Sequence, residues 1–554
     1  SALQVTMAAA ATTTTQRRKR KSASAPPRGM DQLAWCVGGV VGSSLLMMWL
    51  FNFWVLGELD HQLKYPTTAS TTNEASRRRI RSSVAGGKGQ QQQRHEQQHP
   101  TDNNGYEFHY VFSSGCNRLQ DWQSYMFFHQ CRQIFGPTVN VTRVASCETD
   151  EDAAALRELH NAQIAIMSPR FLLHTTPDYT HRASSDKKYN FFNKPFGLRH
   201  WLEHGLNLPH QMHQLSKTIV VVMDPDQFLL RPFAQDMTHQ DEAWQETSGF
   251  TEVKRGQPMA AGYAFGGGWI RSLNVTELLE LQPNMTIQIP PTKSGLSDTK
   301  TWNPAYVGQN FAVGPPYVFV VPDMYEIVTT WSELVVPMFH QLHGGFNSEM
   351  YAYCTAAAHL KLPHRISSSF MFSQPADHSQ NEAWSTYIDD KQSEEVCATD
   401  FYPMPHALHF CQRYYIGPYF LSKYQIPKTP PDDMFLSCEH PLLQEPPLNV
   451  ADLYNTSVTP NGEVNQLRRR EDRLRMAFVV CQMLPRLNAA ATFYKDHHCP
   501  AATTAAAAAN DGQQTVANYS KVFLFETHDV KKLRLQRERA ARQQREREAN
   551  NAIQ

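Results

Sequence analysis

Two carboxylates separated by one residue follow a predicted buried strand near the middle of this chain. The run Thr218–Met223 is apolar and β-branched, the pattern of a buried strand. Pro225 cannot donate to a sheet ladder, so Asp224 and Asp226 fall in the loop that follows. Open α/β sheets bind ligands at the carboxyl ends of strands, and Mg²⁺ or Mn²⁺ prefers carboxylate oxygens. These residues predict a metal–nucleotide site; the alternative is a polar turn, because Asp-x-Asp is common in loops.

The segments around this strand predict alternating strands and helices. Strands are predicted near residues 108–113, 139–146, 164–167 and 318–321, and a turn at 313–317. Helices are predicted near residues 121–134, 151–160, 192–205, 323–335, 347–359 and 464–483. This alternation favours an α/β fold with a mostly parallel sheet.

The N-terminal region predicts one transmembrane helix. Basic residues between positions 17 and 28 precede an uncharged apolar stretch at 33–56, with Trp35 and Trp54 near its ends. A bilayer needs about 20 apolar residues, so this stretch is long enough to cross it. The positive-inside rule places the N-terminus in the cytosol and the remainder in the lumen. The alternative is a cleaved signal peptide, whose apolar core is usually shorter.

Composition divides the remaining chain. We expect a cytosolic tail at 1–32, a signal anchor at 33–56, a disordered stem at 57–105, a luminal catalytic domain at 106–450, and a C-terminal extension at 451–554 that is partly helical or disordered. Ten cysteines, with Cys36 inside the anchor, leave an odd luminal number, so at least one thiol is unpaired. Basic and acidic residues are equal at 52 each, and the basic clusters lie in the tails and stem, which disfavours nucleic-acid binding.

Several separated motifs resemble those of one family. They are HYVFS at 109–113 with DWQ at 121–123, TRVASC at 142–147, NKP at 193–195, MDPD at 223–226, VGPP at 313–316, SEMYAY at 348–353, HFCQRY at 409–414, and FLSC at 435–438 through PLL at 441–443 to PP at 446–447. Together they resemble the plant and algal hydroxyproline O-arabinosyltransferases and the related peptidyl serine α-galactosyltransferases. The resemblance implies a GT-A-type glycosyltransferase domain, a UDP-sugar donor, a divalent cation (usually Mn²⁺) and polypeptide acceptors in the secretory pathway.

The family resemblance and the chemistry of carboxylates both predict a set of metal-binding residues. A divalent cation stabilises the charge of a diphosphate leaving group, and Asp224 and Asp226 are the expected ligands, Asp226 also having a catalytic role. In GT-A enzymes a late histidine often completes the site, so His409 of the HFCQRY motif is the third predicted ligand. His406 is its competitor, and a packed or surface histidine is the alternative.

Four other residues are assigned to the donor or to catalysis. Lys194 and Arg413 are candidates for diphosphate contact, although Lys194 equally fits a surface charge. Asp121 either binds the nucleotide or caps a helix. Glu349 is predicted to accept the proton of the acceptor hydroxyl or to stabilise an oxocarbenium-like state. The alternative is a structural role, in which its charge interacts with a helix dipole.

The leading hypothesis is a Golgi type II glycosyltransferase that transfers L-arabinofuranose from a UDP-sugar to hydroxyproline of secreted or cell-wall polypeptides, with retention of configuration. The nearest alternative is galactose transfer to peptidyl serine on the same scaffold. A membrane-anchored binding protein without catalysis is a different class of alternative. The intact pair Asp224 and Asp226 argues against it, because such a protein has no need of two metal-ligating carboxylates.

Overall fold

Strands and helices alternate along the computed structural model, which describes residues 105–183, 188–240, 242–245, 249–272, 304–373, 375, 382–423, 438, 442–458, 464–467 and 469–499. The strands of these residues are β1 (Glu107–Gly115), β2 (Asn140–Cys147), β3 (Phe171–Pro177), β4 (Thr218–Met223), β5 (Gln227–Leu229), β6 (Met259–Gly262), β7 (Val313–Val320), β8 (Arg365–Ser367), β9 (Met371–Phe372), β10 (Ala407–His409), β11 (Arg413–Ile416), β12 (Tyr419–Ser422), β13 (Thr456–Val458) and β14 (Val464–Gln466).

The α-helices of the same residues range from one turn to eight. They are α1 (Arg118–Phe135), α2 (Asp150–Gln163), α3 (Asn193–His200), α4 (Trp269–Ser272), α5 (Pro304–Asn310), α6 (Val321–Gln341), α7 (Ser348–His359), α8 (Glu382–Asp389), α9 (Ser393–Val396), α10 (Val450–Leu453) and α11 (Arg470–His498). Short 3₁₀ turns cover Asn190–Phe192 and Ala264–Gly268, and a π turn covers Trp201–Gly205.

A seven-stranded sheet has the spatial order β3-β2-β1-β4-β7-β6-β8. The pairs β2/β3, β1/β2, β1/β4 and β6/β8 are parallel, whereas β7 is antiparallel to both β4 and β6. Six strands therefore run in one direction, which confirms the mostly parallel α/β sheet. The carboxyl ends of β1 to β4 meet at one edge, and the loops after these strands form the candidate site.

Each face of the sheet packs against its own set of helices. Side chains of a strand alternate between faces, so Tyr110 and Phe112 enter one core while Val111 enters the other. The first core contains the buried faces of α1 and α11, and the second contains those of α3, α6 and α7. This double covering explains the near-continuous apolar sequence of β4, all six residues of which are buried.

Most of the predicted elements are confirmed, but two predictions near strand ends are wrong. Residues 164–167 form no strand: the amides of Ile164 and Ala165 bond to the carbonyl of His160, so this short apolar run closes the end of α2. The predicted turn at 313–317 belongs to β7. Its Pro315 and Pro316 are tolerated because the β6–β7 register jumps there, and a bulge needs no ladder donors at these positions.

The packed fold continues beyond residue 450. The helix predicted at 464–483 begins only at Arg470, after β14, and runs to His498. Its Phe478 contacts the rings of Phe372, Trp384 and Phe401 at centroid distances of 5.7, 5.3 and 5.3 Å. The C-terminal helix therefore completes one of the two cores.

Disulfides tie this part of the chain together. They join Cys397 to Cys481 and Cys438 to Cys499, and a third joins Cys116 to Cys147 at the carboxyl ends of β1 and β2. The thiols of Cys131, Cys354 and Cys411 are free, which confirms the prediction of at least one unpaired cysteine.

The predicted anchor at 33–56, the stem up to residue 104 and the tail after 499 lie outside the described residues. Among the helices that the structure describes, none combines the length and the apolar composition needed to cross a bilayer.

Candidate active site

The loop after β4 holds its two aspartates in a hydrogen-bonded turn. The Asp224 amide donates to Oε1 of Gln227 (2.9 Å), and the Gln227 amide donates back to the Asp224 carbonyl (3.0 Å). The Gln227 side chain also donates to the carbonyl of Pro315 on β7 (2.7 Å). The turn is therefore anchored to the neighbouring strand, so both carboxylates have fixed positions at the sheet edge.

A short second sheet brings His409 to the same turn. In that sheet β10 is antiparallel to β5, with His409 opposite Gln227, and the Phe410 amide donates to the Asp226 carbonyl (3.0 Å). The ligand atoms of Asp224, Asp226 and His409 all lie within 4.8 Å of one another, and His409 Nε2 is 3.4 Å from Asp226 Oδ2. The structure thus brings together all three predicted metal ligands, although Asp224 and His409 lie 185 residues apart along the chain.

Two lysines face the aspartates. Lys194, in the first turn of α3, places Nζ 2.7 Å from Asp224 Oδ1 and 3.2 Å from Glu349 Oε1, at the start of α7. It is therefore a largely buried side chain that links two predicted site residues, and the surface-charge interpretation is wrong. Lys423 contacts Asp226 Oδ2.

Lys423 is the site residue that sequence reasoning missed. It follows β12, which pairs with β11 so that Ser422 lies opposite Arg413. The available signal was Gly417-Pro418 between two β-rich runs, which predicts a turn and so folds Lys423 back towards the HFCQRY motif.

Burial and mutual attraction set the charges in this site. Burial alone would raise the pKa of Asp226, but the facing His409 and Lys423 hold it well below its ordinary value. Burial likewise opposes the charge of Lys194, yet Asp224 and Glu349 raise its pKa above the ordinary value. The pKa of Glu349 is raised, first by burial and then by Asp224, against the opposing effect of Lys194. Asp226 is thus ionised, whereas burial favours the protonated form of Glu349.

The donor set fits a divalent cation. Two carboxylates offer hard oxygen ligands and His409 offers an imidazole nitrogen, a combination that Mn²⁺ accepts. Nδ1 of His409 is buried and has no hydrogen-bond partner among the described residues. Burial opposes a charge on His409, but Cys411 and Asp226 raise its pKa well above the ordinary value, so a metal would replace a proton there.

His406, the competing ligand, lies apart from the aspartates. Its Nε2 is 2.7 Å from Glu242 Oε1 in a buried cluster. His406 directly precedes β10, and in extended chain residues three apart point to opposite faces. The structure therefore groups His409, and not His406, with Asp224 and Asp226.

Asp121 and Arg413 lie near the site without joining it. Asn117, and not Asp121, caps α1, since its side chain accepts from the Gln120 amide. Asp121 pairs with Arg143 on β2 (2.8 Å), and that guanidinium also bonds the Gly115 carbonyl at the end of β1. Arg413 is half-buried on β11, and among the described residues no ion pair or hydrogen bond joins it to the aspartates.

A cavity of about 830 Å³ opens at the carboxyl ends of β2 and β3. Thr149, Asp178, Lys188 and His200 are among its lining residues. Asn193 connects it to Asp224, because its amide donates to Asp178 Oδ1 (2.8 Å) and the next residue along α3 is Lys194, which contacts Asp224. The cavity and the aspartates therefore share one sheet edge.

Comparison with known proteins gives one sequence relative. No protein-family model matches the chain. It is 26% identical over 275 residues to a peptidyl serine alpha-galactosyltransferase of Arabidopsis thaliana, a match that covers 48% of this chain and 27% of the relative's length. The chain thus spans about a quarter of that relative. This similarity supports a glycosyltransferase family, and the mostly parallel α/β sheet fits the expected GT-A-like fold.

Two solved structures are weakly similar. One is the WbbM bifunctional glycosyltransferase without ligand, with 12% identity, a TM-score of 0.24, and coverage of 47% of this chain and 45% of that chain. The other is mouse xyloside xylosyltransferase 1 without ligand, with 9% identity, a TM-score of 0.28, and coverage of 55% and 97%. Scores this low add no support to the assignment.

Proposed function

We propose that this chain is a metal-dependent glycosyltransferase that moves a sugar from a UDP-sugar to a hydroxyl group of a polypeptide. One observation carries the proposal: the ligand atoms of Asp224, Asp226 and His409 converge within 4.8 Å at the carboxyl end of β4, beside Lys194 and Glu349. Ligands of open α/β sheets bind at this edge. The sequence similarity to a glycosyltransferase supports the same reaction class.

Asp224, Asp226 and His409 are the residues that would hold Mn²⁺. Such an ion, when bound, supplies Lewis-acid stabilisation of the diphosphate leaving group. Lys194 and Lys423 already lie against the two carboxylates, and their ammonium groups are the nearest described cations for diphosphate oxygens. Arg413 is a less direct candidate for the same role, since it makes no contact with the aspartates.

Glu349 is the proposed catalytic carboxyl group. In the reaction, the bond between the anomeric carbon and the diphosphate breaks, a bond to the acceptor oxygen forms, and the hydroxyl proton leaves. The raised pKa of Glu349 suits a group that orients the acceptor hydroxyl and accepts its proton, with Lys194 holding the carboxylate in place. We propose transfer with retention of configuration, which requires either attack by the acceptor on the face that the diphosphate leaves or a covalent glycosyl intermediate.

The cavity beside α3 is the proposed place for the nucleoside. It lies at the same sheet edge as the aspartates and joins them through Asn193 and Lys194, so a diphosphate near Lys194 directs the nucleoside towards it. Asp121 then acts indirectly, by holding Arg143 against the end of β1.

Two combinations of donor sugar and acceptor residue are compatible with this reaction. The sequence relative is named for alpha-galactose transfer to peptidyl serine, which favours that activity. The HFCQRY motif at 409–414 and the motifs at 435–443 favour arabinose transfer to hydroxyproline. We place the reaction in the Golgi lumen, with the chain as a single-pass type II membrane protein. The apolar stretch at 33–56 and three disulfides support an oxidising luminal compartment.

The test is transfer by the full-length chain. UDP-galactose and UDP-arabinofuranose are each offered to serine-containing and hydroxyproline-containing peptides, with Mn²⁺ or with a chelator. The variant Asp224→Ala/Asp226→Ala is the control. Mn²⁺-dependent transfer that the control loses would support the proposal, and the productive pair would decide between the two activities. A folded protein that neither transfers the sugar nor hydrolyses the donor would instead be a binding protein.

A further inference from the structure

Two exposed aromatic rings contact each other on the chain segments that carry Lys194 and Glu349. Phe346 is 70% exposed, the highest value among the large apolar side chains described, and Phe191 is 39% exposed. Their ring centroids are 5.2 Å apart, in an edge-to-face arrangement. Because water contact with a phenyl ring is unfavourable, this pair offers an apolar surface to a binding partner.

The same two chain segments carry the catalytic candidates. Phe191 lies three residues before Lys194 and Phe346 three residues before Glu349, and Lys194 pairs with Glu349 at 3.2 Å. Three residues span at most about 11 Å of backbone, so the backbones of Phe191 and Phe346 lie within that distance of those of Lys194 and Glu349. The two segments therefore contact each other at two places: the buried Lys194–Glu349 ion pair and the exposed Phe191–Phe346 ring contact.

Tyr189 connects the two contacts rigidly. Its hydroxyl donates to the Phe346 carbonyl (2.9 Å) and accepts from the Glu349 amide (3.0 Å), while its ring lies 5.3 Å from that of Phe191. Tyr189 is itself buried. The exposed rings therefore have a fixed position relative to the Glu349 backbone, as a substrate-positioning surface requires.

We propose that Phe191 and Phe346 form an acceptor platform, which binds apolar residues of the acceptor polypeptide next to the hydroxyl that receives the sugar. This inference rests on the proposed function and names the acceptor chemistry of that site. In this proposal the acceptor hydroxyl reaches Glu349 beside the two exposed rings, which belong to the same chain segments as Lys194 and Glu349. Phenyl faces and edges bind aliphatic or aromatic side chains, so the platform disfavours acceptors flanked by charged residues or glycine.

The experiment compares two synthetic peptides that differ only beside the acceptor hydroxyl, one with leucine on both sides and one with glycine. With the full-length chain, UDP-sugar and Mn²⁺, we expect a lower KM for the leucine peptide. Phe346→Ala should raise that KM by about three- to tenfold and leave the KM of the glycine peptide unchanged. Phe346→Leu should restore most of the difference, since it keeps an apolar surface.

A matched control and a second readout separate the possible failures. Tyr387→Ala removes another aromatic ring that is 40% exposed, from α8, and should change neither KM. Donor hydrolysis without peptide reports the metal and donor site alone and should be equal in all variants. Equal hydrolysis with no KM change in Phe346→Ala would overturn the platform and leave the proposed function intact. Absence of hydrolysis and transfer in the unchanged protein would overturn both.

Discussion

The aspartate site (Asp224, Asp226 and His409) and the Glu242 cluster (Arg231, Glu242, Ser369 and His406) combine the same kinds of side chain with opposite consequences. Each contains a histidine and at least one carboxylate, with a cation in it or beside it, and both use β10, which carries His409 and is preceded by His406. In the Glu242 cluster, one carboxylate receives bonds from His406 (2.7 Å), Arg231 (2.6 Å) and the Ser369 hydroxyl. In the aspartate site, the ligand atoms converge on a common point.

The difference lies in how the acceptor oxygens are satisfied. The Glu242 and His406 side chains have no exposed surface, and the Phe233 ring stacks on His406 at 4.1 Å. Their bonds hold the loop after β5 against β10, which fixes the strand that carries His409. The aspartates instead pair with ammonium groups on long side chains, Lys194 and Lys423, which retain some exposure. The Glu242 carboxylate, bonded by surrounding protein donors, stabilises the fold, whereas exchangeable cations leave room for a metal and a diphosphate.

The largest expected effect is on the reaction, from Asp226→Asn. Losing one carboxylate ligand removes several kcal/mol of charge stabilisation, so transfer should fall by roughly 100- to 1000-fold. Initial rates across a Mn²⁺ titration measure this loss. Thermal unfolding is the control: the melting temperature should fall less than it does for Glu242→Gln. Near-normal transfer by this variant would remove the aspartate site from the mechanism.

Glu242→Gln should show the reverse pattern. Removing the charge that compensates Arg231 in a buried cluster costs about 3 kcal/mol of the free energy of unfolding. Urea unfolding measures this cost. Mn²⁺ affinity of the folded protein should stay within about twofold of the unchanged chain, because Glu242 does not contact the ligands. A tenfold loss of Mn²⁺ affinity without a stability change would make Glu242 part of the site.

Lys423→Gln should tighten Mn²⁺ binding by about tenfold when no nucleotide is present. The Lys423 ammonium competes with a metal for Asp226, and its removal leaves that carboxylate free. Equilibrium Mn²⁺ titration measures the change. Arg413→Gln is a matched control, since it removes a neighbouring cation that does not contact the aspartates. Equal affinities in the two variants would show that Lys423 and the metal do not compete.

The smallest effect concerns the pH dependence of stability. Burial would raise the pKa of Glu242, but His406 and Arg231 outweigh it and lower the pKa from the ordinary 4.5 to about 2. A depressed carboxyl pKa stabilises the folded state fully above pH 4.5, and this contribution is lost as the pH falls towards 2. The difference in unfolding free energy between the unchanged chain and Glu242→Gln should therefore shrink by about 1–2 kcal/mol from pH 7 to pH 3. A constant difference would argue against this ion pair.

Patterns of apolar residues and prolines predict strands and helices correctly where the backbone is regular. The six-residue strand before Asp224 was predicted with its observed bounds, because its apolar run ends at a proline. The failures occurred where tertiary contacts overrode local preference. Pro315 and Pro316 inside β7 predict a turn, yet they lie in a bulge of that strand, where no ladder donors are needed. The run at 164–167 looked like a strand, yet its amides close the end of a helix.

The sequence by itself determined the pair of carboxylates that follows a buried strand, the α/β layering and the presence of an unpaired cysteine. These depend on residue type and on spacing within a few positions. Only the tertiary structure decided that His409 and not His406 faces the aspartates, that Lys194 is buried against Glu349, that Lys423 joins the site, and that Phe191 meets Phe346. Each of these contacts joins segments far apart in the chain, where the strand pairing and the packing of helices on the sheet determine which side chains meet.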